Sequence, residues 1–385
     1  LRGARLSAGV AAVALGTLAV LPAPVAQAAP AKGKCQNPLE STGYQKSALP
    51  KQLWGQERMN FTEAWELSRG KGVKIAIVDS GVDVNHPQLR GRVAAYDVTG
   101  TGLTDCVGHG THLAGIIGAK DLRGQGVPLV GVAPEAQLIS VKAATGGQVG
   151  DPGWFPKAIR KATDLGAKVI NLSVQSTDYA ALRAAVEYAQ SRNVLIVAAA
   201  GNIREDRSNS QRPAYPASYP GVLAVGALNQ DGSLTTFSNR NSTVAVTAPG
   251  QQIVSTWPGG AYYVKDGTSQ AAPFAAGAAA LVRAYHPRWT YQQVKQQIER
   301  TADGATTQGT GSGVINIQRA VTTVNVGKQA PVASAPQKVA LMRPPKEDRV
   351  GKILAFSIAG VTLVAAAGVG VGALVIPAAR RRAAR

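Results

Sequence analysis

A chain of 385 residues with 45% hydrophobic and 16% charged side chains is too apolar to be a disordered, solvating protein. Its formal net charge of +19 would ordinarily point to nucleic acid, but seven of its 41 basic residues sit beside two long apolar stretches at the ends. The 34 that remain, against 22 acidic residues, form no run, and aromatics at 5% do not interleave with them, so no nucleic acid partner is expected.

At the start, Arg2 and Arg5 precede an uncharged run over residues 6–21, followed by Pro22, Pro24 and the small-residue triplet Ala26, Gln27, Ala28. This is the anatomy of a secretory signal peptide, residues 1–28, cut after Ala28; an ordinary buried helix is the alternative. Residues 29–60 scatter Pro, Gly, Lys and Gln without periodicity and read as an N-terminal extension. It is too short and aperiodic to bury a core of its own, so it is expected to stay as a brace on the domain that follows. The only two cysteines, Cys35 and Cys106, fall in the exported part, where oxidation is permitted. A disulfide between them is the simplest reading, with two free buried thiols as the alternative. Two cysteines do not make a four-ligand structural zinc site, and neither a metal nor a cofactor is expected.

Residues 61–324 have the texture of a folded domain. Short apolar runs at 73–78, 136–141, 168–172, 194–199, 222–227 and 243–247 predict strands. Helical patterns at 109–118, 156–165 and 178–191 lie between several of them, the last with Asp178 as a possible cap. A final helix over 291–301 starts with a capping box made by Thr290 and Gln293. Strands alternating with helices imply an α/β domain whose largely parallel sheet is buried on both faces.

Residues 325–352 carry four prolines and read as a semi-extended linker. Residues 353–376 are 24 in a row without a charge, about 36 Å as a helix against a hydrocarbon core of about 30 Å, and predict a single membrane span. Arg380, Arg381, Arg382 and Arg385 follow in the tail, 377–385, so positive-inside logic puts the tail in the cytoplasm and the bulk of the chain outside the cell membrane.

Four short motifs carry chemistry. Asp79 ends a buried strand, where open α/β sheets place catalytic groups, although an isolated acid there is more often a turn-former. His109, in Gly108-His109-Gly110-Thr111-His112, opens a helix whose dipole is expected to lower its pKa and favour the neutral imidazole that a general base must be. His112, a turn further on, reads as a packing residue. Asn202 closes a strand with an amide able to donate to a developing oxyanion. Ser269, in Asp266-Gly267-Thr268-Ser269-Gln270, stands at a helix start, where it could equally be an ordinary N-cap.

Together, Asp79, His109, Asn202 and Ser269 follow the chain order of the subtilisin type of serine peptidase, and residues 61–324 resemble the subtilase family. The resemblance implies a subtilisin-like three-layer fold and a protein or peptide substrate. It makes Ser269 the nucleophile, His109 its base and Asp79 the group that orients the imidazole. The Ser269 backbone N–H and the Asn202 side chain would form the oxyanion hole; in subtilisin, loss of that side-chain donor lowers turnover about 10² to 10³-fold. Residues matching the family's substrate strand are Ser173, Val174 and Gln175, and those matching its primary specificity pocket are Ala199, Ala200, Gly201 and Ala214. Gln175 replaces the family's usual Gly, which should narrow substrate choice, and Gln270 replaces the common Met after the nucleophile. Signal peptide, extension, domain, linker and span in this order resemble the mycosins, membrane-anchored subtilases of type VII secretion. That likeness implies secreted substrates and a place beside the secretion complex.

Overall fold

The computed structural model describes residues 43–146, 151–203, 213–240, 243–304 and 309–323. The signal segment, Cys35, the linker and the span at 353–376 lie outside the described residues. Among the described residues no helix is long and apolar enough to cross a membrane.

The architecture follows from strands apolar on both sides. Strand β1 (Lys74–Asp79) is buried from its second residue onward. Its alternate side chains divide between two cores: Ile75 and Ile77 join one cluster, Ala76 and Val78 the other. The remaining strands are β2 (Val93–Asp97), β3 (Gln137–Lys142), β4 (Val169–Leu172), β5 (Leu195–Ala199), β6 (Leu223–Leu228) and β7 (Val246–Pro249). All seven pair in parallel in the order β2-β3-β1-β4-β5-β6-β7, with Ile75 in register with Leu138 on one side and Val169 on the other. A small antiparallel pair, β8 (Ile253–Trp257) and β9 (Ala261–Lys265), lies outside that sheet.

Helices supply the two outer layers. On one face the core gathers residues of α2 (His109–Gly118) and α5 (Thr268–Tyr285), and on the other those of α3 (Trp154–Asp164) and α4 (Ala180–Ser191). The tight seat of α5 comes from its run of alanines, nearly all fully buried. A further helix at Tyr291–Thr301 starts with the expected capping box, the Thr290 hydroxyl accepting from Gln293 N and the Gln293 side chain accepting from Thr290 N. Ahead of β1, the short helix Trp54–Met59 also packs into the body: Leu53 and Met59 are buried, and Tyr44 exchanges backbone hydrogen bonds with Tyr262.

All six predicted strands are present within a few residues, and two local expectations need correction. Asp178 does not cap α4, whose N-cap is Tyr179 with no side-chain cap; the Asp178 carboxylate instead accepts from the Tyr219 hydroxyl at 2.7 Å and pairs with Arg183. Ser269 is not the N-cap of α5 either: it is the second helical residue, and the N-cap is Gly267 at φ +146°, a backbone open to glycine and strained for other residues.

Candidate active site

Between β1 and β4 the connections of the sheet reverse direction, and the crevice at the carboxyl ends of such strands is where open α/β sheets gather their chemistry. Asp79 is the last residue of β1, and Ser173 follows β4 directly. Asn202 stands three residues beyond the end of β5. His109 begins α2 and Ser269 is the second residue of α5, and the two helices pack against each other in one outer layer.

His109 Nδ1 is 2.8 Å from Asp79 Oδ1. That carboxylate oxygen also accepts from Ser80 N at 2.8 Å, and Asp79 is 4% exposed. A carboxylate can only accept, so Nδ1 carries the proton and the lone pair falls on Nε2, which faces away from Asp79. Burial pushes the imidazole pKa down, but the charge of Asp79 and its hydrogen bond outweigh it, and the net shift is upward. The expected lowering by the helix dipole is therefore overturned: a full charge at hydrogen-bond distance exceeds a partial charge at a helix end. Gly110 lets α2 come this close, since a Cβ there would lie 2.0 Å from the Gly81 carbonyl oxygen.

Ser269 is placed by a proline. Pro273 has no N–H to give the carbonyl four residues back, so Ser269 O is left free and accepts the Ser173 hydroxyl at 3.0 Å. The Ser269 hydroxyl donates in turn to the Ser173 carbonyl at 3.3 Å and, among the described residues, makes no hydrogen bond to His109. The Ser269 N–H lies in the first turn of α5, where a helix offers it no acceptor. Asn202 is oriented unambiguously. Its Oδ1 accepts from both the N–H and the hydroxyl of Thr268, each at 2.9 Å, so Nδ2 is the atom left to donate outward.

The other histidine of the motif is different. His112 is fully buried, and its Nε2 lies 3.0 and 3.1 Å from the carbonyls of Ile253 and Tyr263, which makes it the neutral Nε2–H tautomer. Its Nδ1 has no partner among the described residues. Burial, reinforced by the charge of His109, brings its pKa down to about 3. Gln270 is also buried, with both amide atoms unpartnered among the described residues. Nothing among the described residues explains this glutamine.

Sequence reasoning passed over Asp105. Its buried carboxylate takes five donors: the hydroxyl of Ser80, the N–H groups of Val107 and Gly108, and both the N–H and hydroxyl of Thr111. Gly110 N in turn donates to the Ser80 hydroxyl, so one carboxylate ties the residue after Asp79 to both sides of His109. Burial pushes the Asp105 pKa up, against the pull of those hydrogen bonds. The available signal was an acid just ahead of a helix start, where a carboxylate is favoured. Asp105→Ala strands five donors, four of them buried, and a loss of about 3 kcal/mol is expected, lowering Tm by roughly 6–12 °C in calorimetry of the purified protein. Among the described residues no group of three or more His, Cys, Asp and Glu could hold a metal ion.

The profile of the Subtilase family matches residues 70–321. The chain belongs to the subtilase family. It is 40% identical over 258 residues to Subtilisin E of Bacillus subtilis (strain 168), covering 65% of this chain and 66% of that one, so it spans about two thirds of that relative's length. Two solved structures share its subtilisin-like fold. MycP1 with its N-terminal propeptide removed gives a TM-score of 0.63 at 29% identity, covering 72% of this subtilase and 99% of the other chain. MycP3 protease from the type VII (ESX-3) secretion system gives 0.62 at 32%, covering 74% and 91%.

Proposed function

We propose that this subtilase is a serine endopeptidase in which Ser269 is the nucleophile, His109 the general base and Asp79 the carboxylate that orients and charges it. The observation that carries this reading is the 2.8 Å Asp79–His109 pair, which leaves the Nε2 lone pair for a hydroxyl, in a crevice that also holds Ser269 and an outward-facing Asn202 amide. In the reaction the Ser269 hydroxyl turns from the Ser173 carbonyl, gives its proton to His109 Nε2 and attacks the peptide carbonyl carbon. The tetrahedral oxyanion accepts from Asn202 Nδ2 and Ser269 N. His109 then passes its proton to the leaving amine, the C–N bond breaks, and water hydrolyses the acyl-enzyme ester by the reverse sequence.

The likeness to MycP1 and MycP3 supports a finer reading: a mycosin whose domain lies outside the cell membrane, held by the span at 353–376, acting on secreted substrates of a type VII secretion system. The Cys35–Cys106 disulfide belongs to the same reading and ties the extension beside the active site. A fluorophosphonate probe should label the purified full chain at Ser269, read by peptide mass spectrometry; no labelling overturns the peptidase reading. Isolation from its own membranes should bring a secretion complex with it, and the chain recovered alone would leave a membrane-tethered subtilase without that partner.

A further inference from the structure

Three backbone segments converge beside Gly201. The stretch after β4 is tied to the stretch around Ala214, Ser176 N donating to Tyr215 O at 2.9 Å and Tyr215 N to Ser176 O at 3.1 Å. The stretch after β5 carries Ala199, Ala200 and Gly201 into the same place and ends at Asn202. A Cβ on Gly201 would lie 2.9 Å from the Ala214 Cβ and 3.0 Å from both Cδ and Oε1 of Gln175. Gln175 Oε1 accepts the Asn202 N–H at 2.9 Å, so this side chain crosses from the wall after β4 to the wall after β5. Ala199, Ala200, Gly201 and Ala214 are all buried, whereas Gln175 is exposed. The exposed amide thus lies over these buried small residues, next to Asn202.

We propose that Gln175 determines specificity: its amide, seated across the slot between the two walls, restricts the substrate residue whose carbonyl is attacked to small side chains, Gly, Ala or Ser. The inference rests on the reading of Ser269 as nucleophile and Asn202 as oxyanion donor, because those two atoms locate the carbonyl and hence the side chain one bond away. The glutamine is held here by its hydrogen bond from the Asn202 N–H, and a Cβ on Gly201 would lie 3.0 Å from its amide. A Leu or Phe side chain entering the slot must displace it, whereas a methyl or hydroxymethyl group need not enter.

The test uses purified full-length protein and fluorogenic peptides identical except for Ala, Leu or Phe before the reporter amine. The unaltered protein should cleave the Ala peptide in preference to the other two. In Gln175→Gly the ratio of kcat/KM for Phe over Ala should rise about 10- to 200-fold, the range a reshaped apolar pocket commands. Gln175→Glu keeps the length and the acceptor for Asn202 N–H and should retain the preference for Ala. A ratio of kcat/KM for Phe over Ala that is unchanged in Gln175→Gly, or a preference for Phe in the unaltered protein, overturns the role of Gln175 alone. No turnover of any peptide, together with no fluorophosphonate labelling, overturns the peptidase reading and this inference with it.

Discussion

Ser269→Ala should abolish fluorophosphonate labelling and lower peptide turnover by about 10⁶-fold, the loss that subtilisin itself suffers when its nucleophile is removed. The residual rate comes from the oxyanion donors and from substrate positioning, which the substitution leaves in place. Stability should change little. Among the described residues the Ser269 hydroxyl makes one bond, the 3.3 Å donation to Ser173 O, worth about 0.5–1.5 kcal/mol, while the companion bond from the Ser173 hydroxyl ends on the Ser269 backbone carbonyl and survives. Circular dichroism and a melting curve alongside the labelling separate the two effects. Labelling that persists in the variant would mean that another residue is the nucleophile.

His109→Ala should be about as damaging to turnover, whereas a substitution at His112 should act on stability, and pH separates the two residues. The base must be neutral to accept the Ser269 proton, and the Asp79 carboxylate raises the His109 pKa above its ordinary 6.5 against the effect of burial. Activity should therefore climb with pH on a limb that lies above 6.5. Asp79→Asn should bring that limb down and lower turnover by about 10⁴-fold, the scale found for the same acid in subtilisin. His112 has the opposite sign. Its pKa falls from 6.5 to about 3 on folding, so the unfolded chain binds the proton more readily. The stability it contributes is present above about pH 6.5 and is lost as pH falls toward about 3. A raised His109 pKa works the other way, its contribution being complete below 6.5 and lost as pH rises through the folded value. His112→Gln supplies a donor for the Ile253 and Tyr263 carbonyls without a titrating ring and should flatten acid unfolding measured by fluorescence. An activity limb that moves with His112 and not with His109 would exchange their roles.

Much of the fold was legible in the order of the residues because its signals are local. Strands buried on both faces read as apolar runs, which is why β1 and β3 to β7 could be found, and the Thr290–Gln293 box announced its helix because both partners lie within one turn. The strand β2 escaped because it is the edge of the sheet, only partly covered, with Val93–Asp97 showing neither a buried run nor an alternation. Each chemical motif could also be read in place, Asp79 at a strand end and His109 and Ser269 at helix starts. Tertiary structure alone decided how those groups are oriented and partnered. Thr268, 66 residues from Asn202, turns its amide outward; Asp79, 30 residues from His109, reverses the direction of its pKa shift; Asp105, 25 residues from Ser80, binds the surroundings of both. Gln175 reaches 27 residues along the chain to Asn202. Burial and hydrogen bonding act through space, and no period or propensity in the sequence encodes which distant partner will arrive at 2.8 Å.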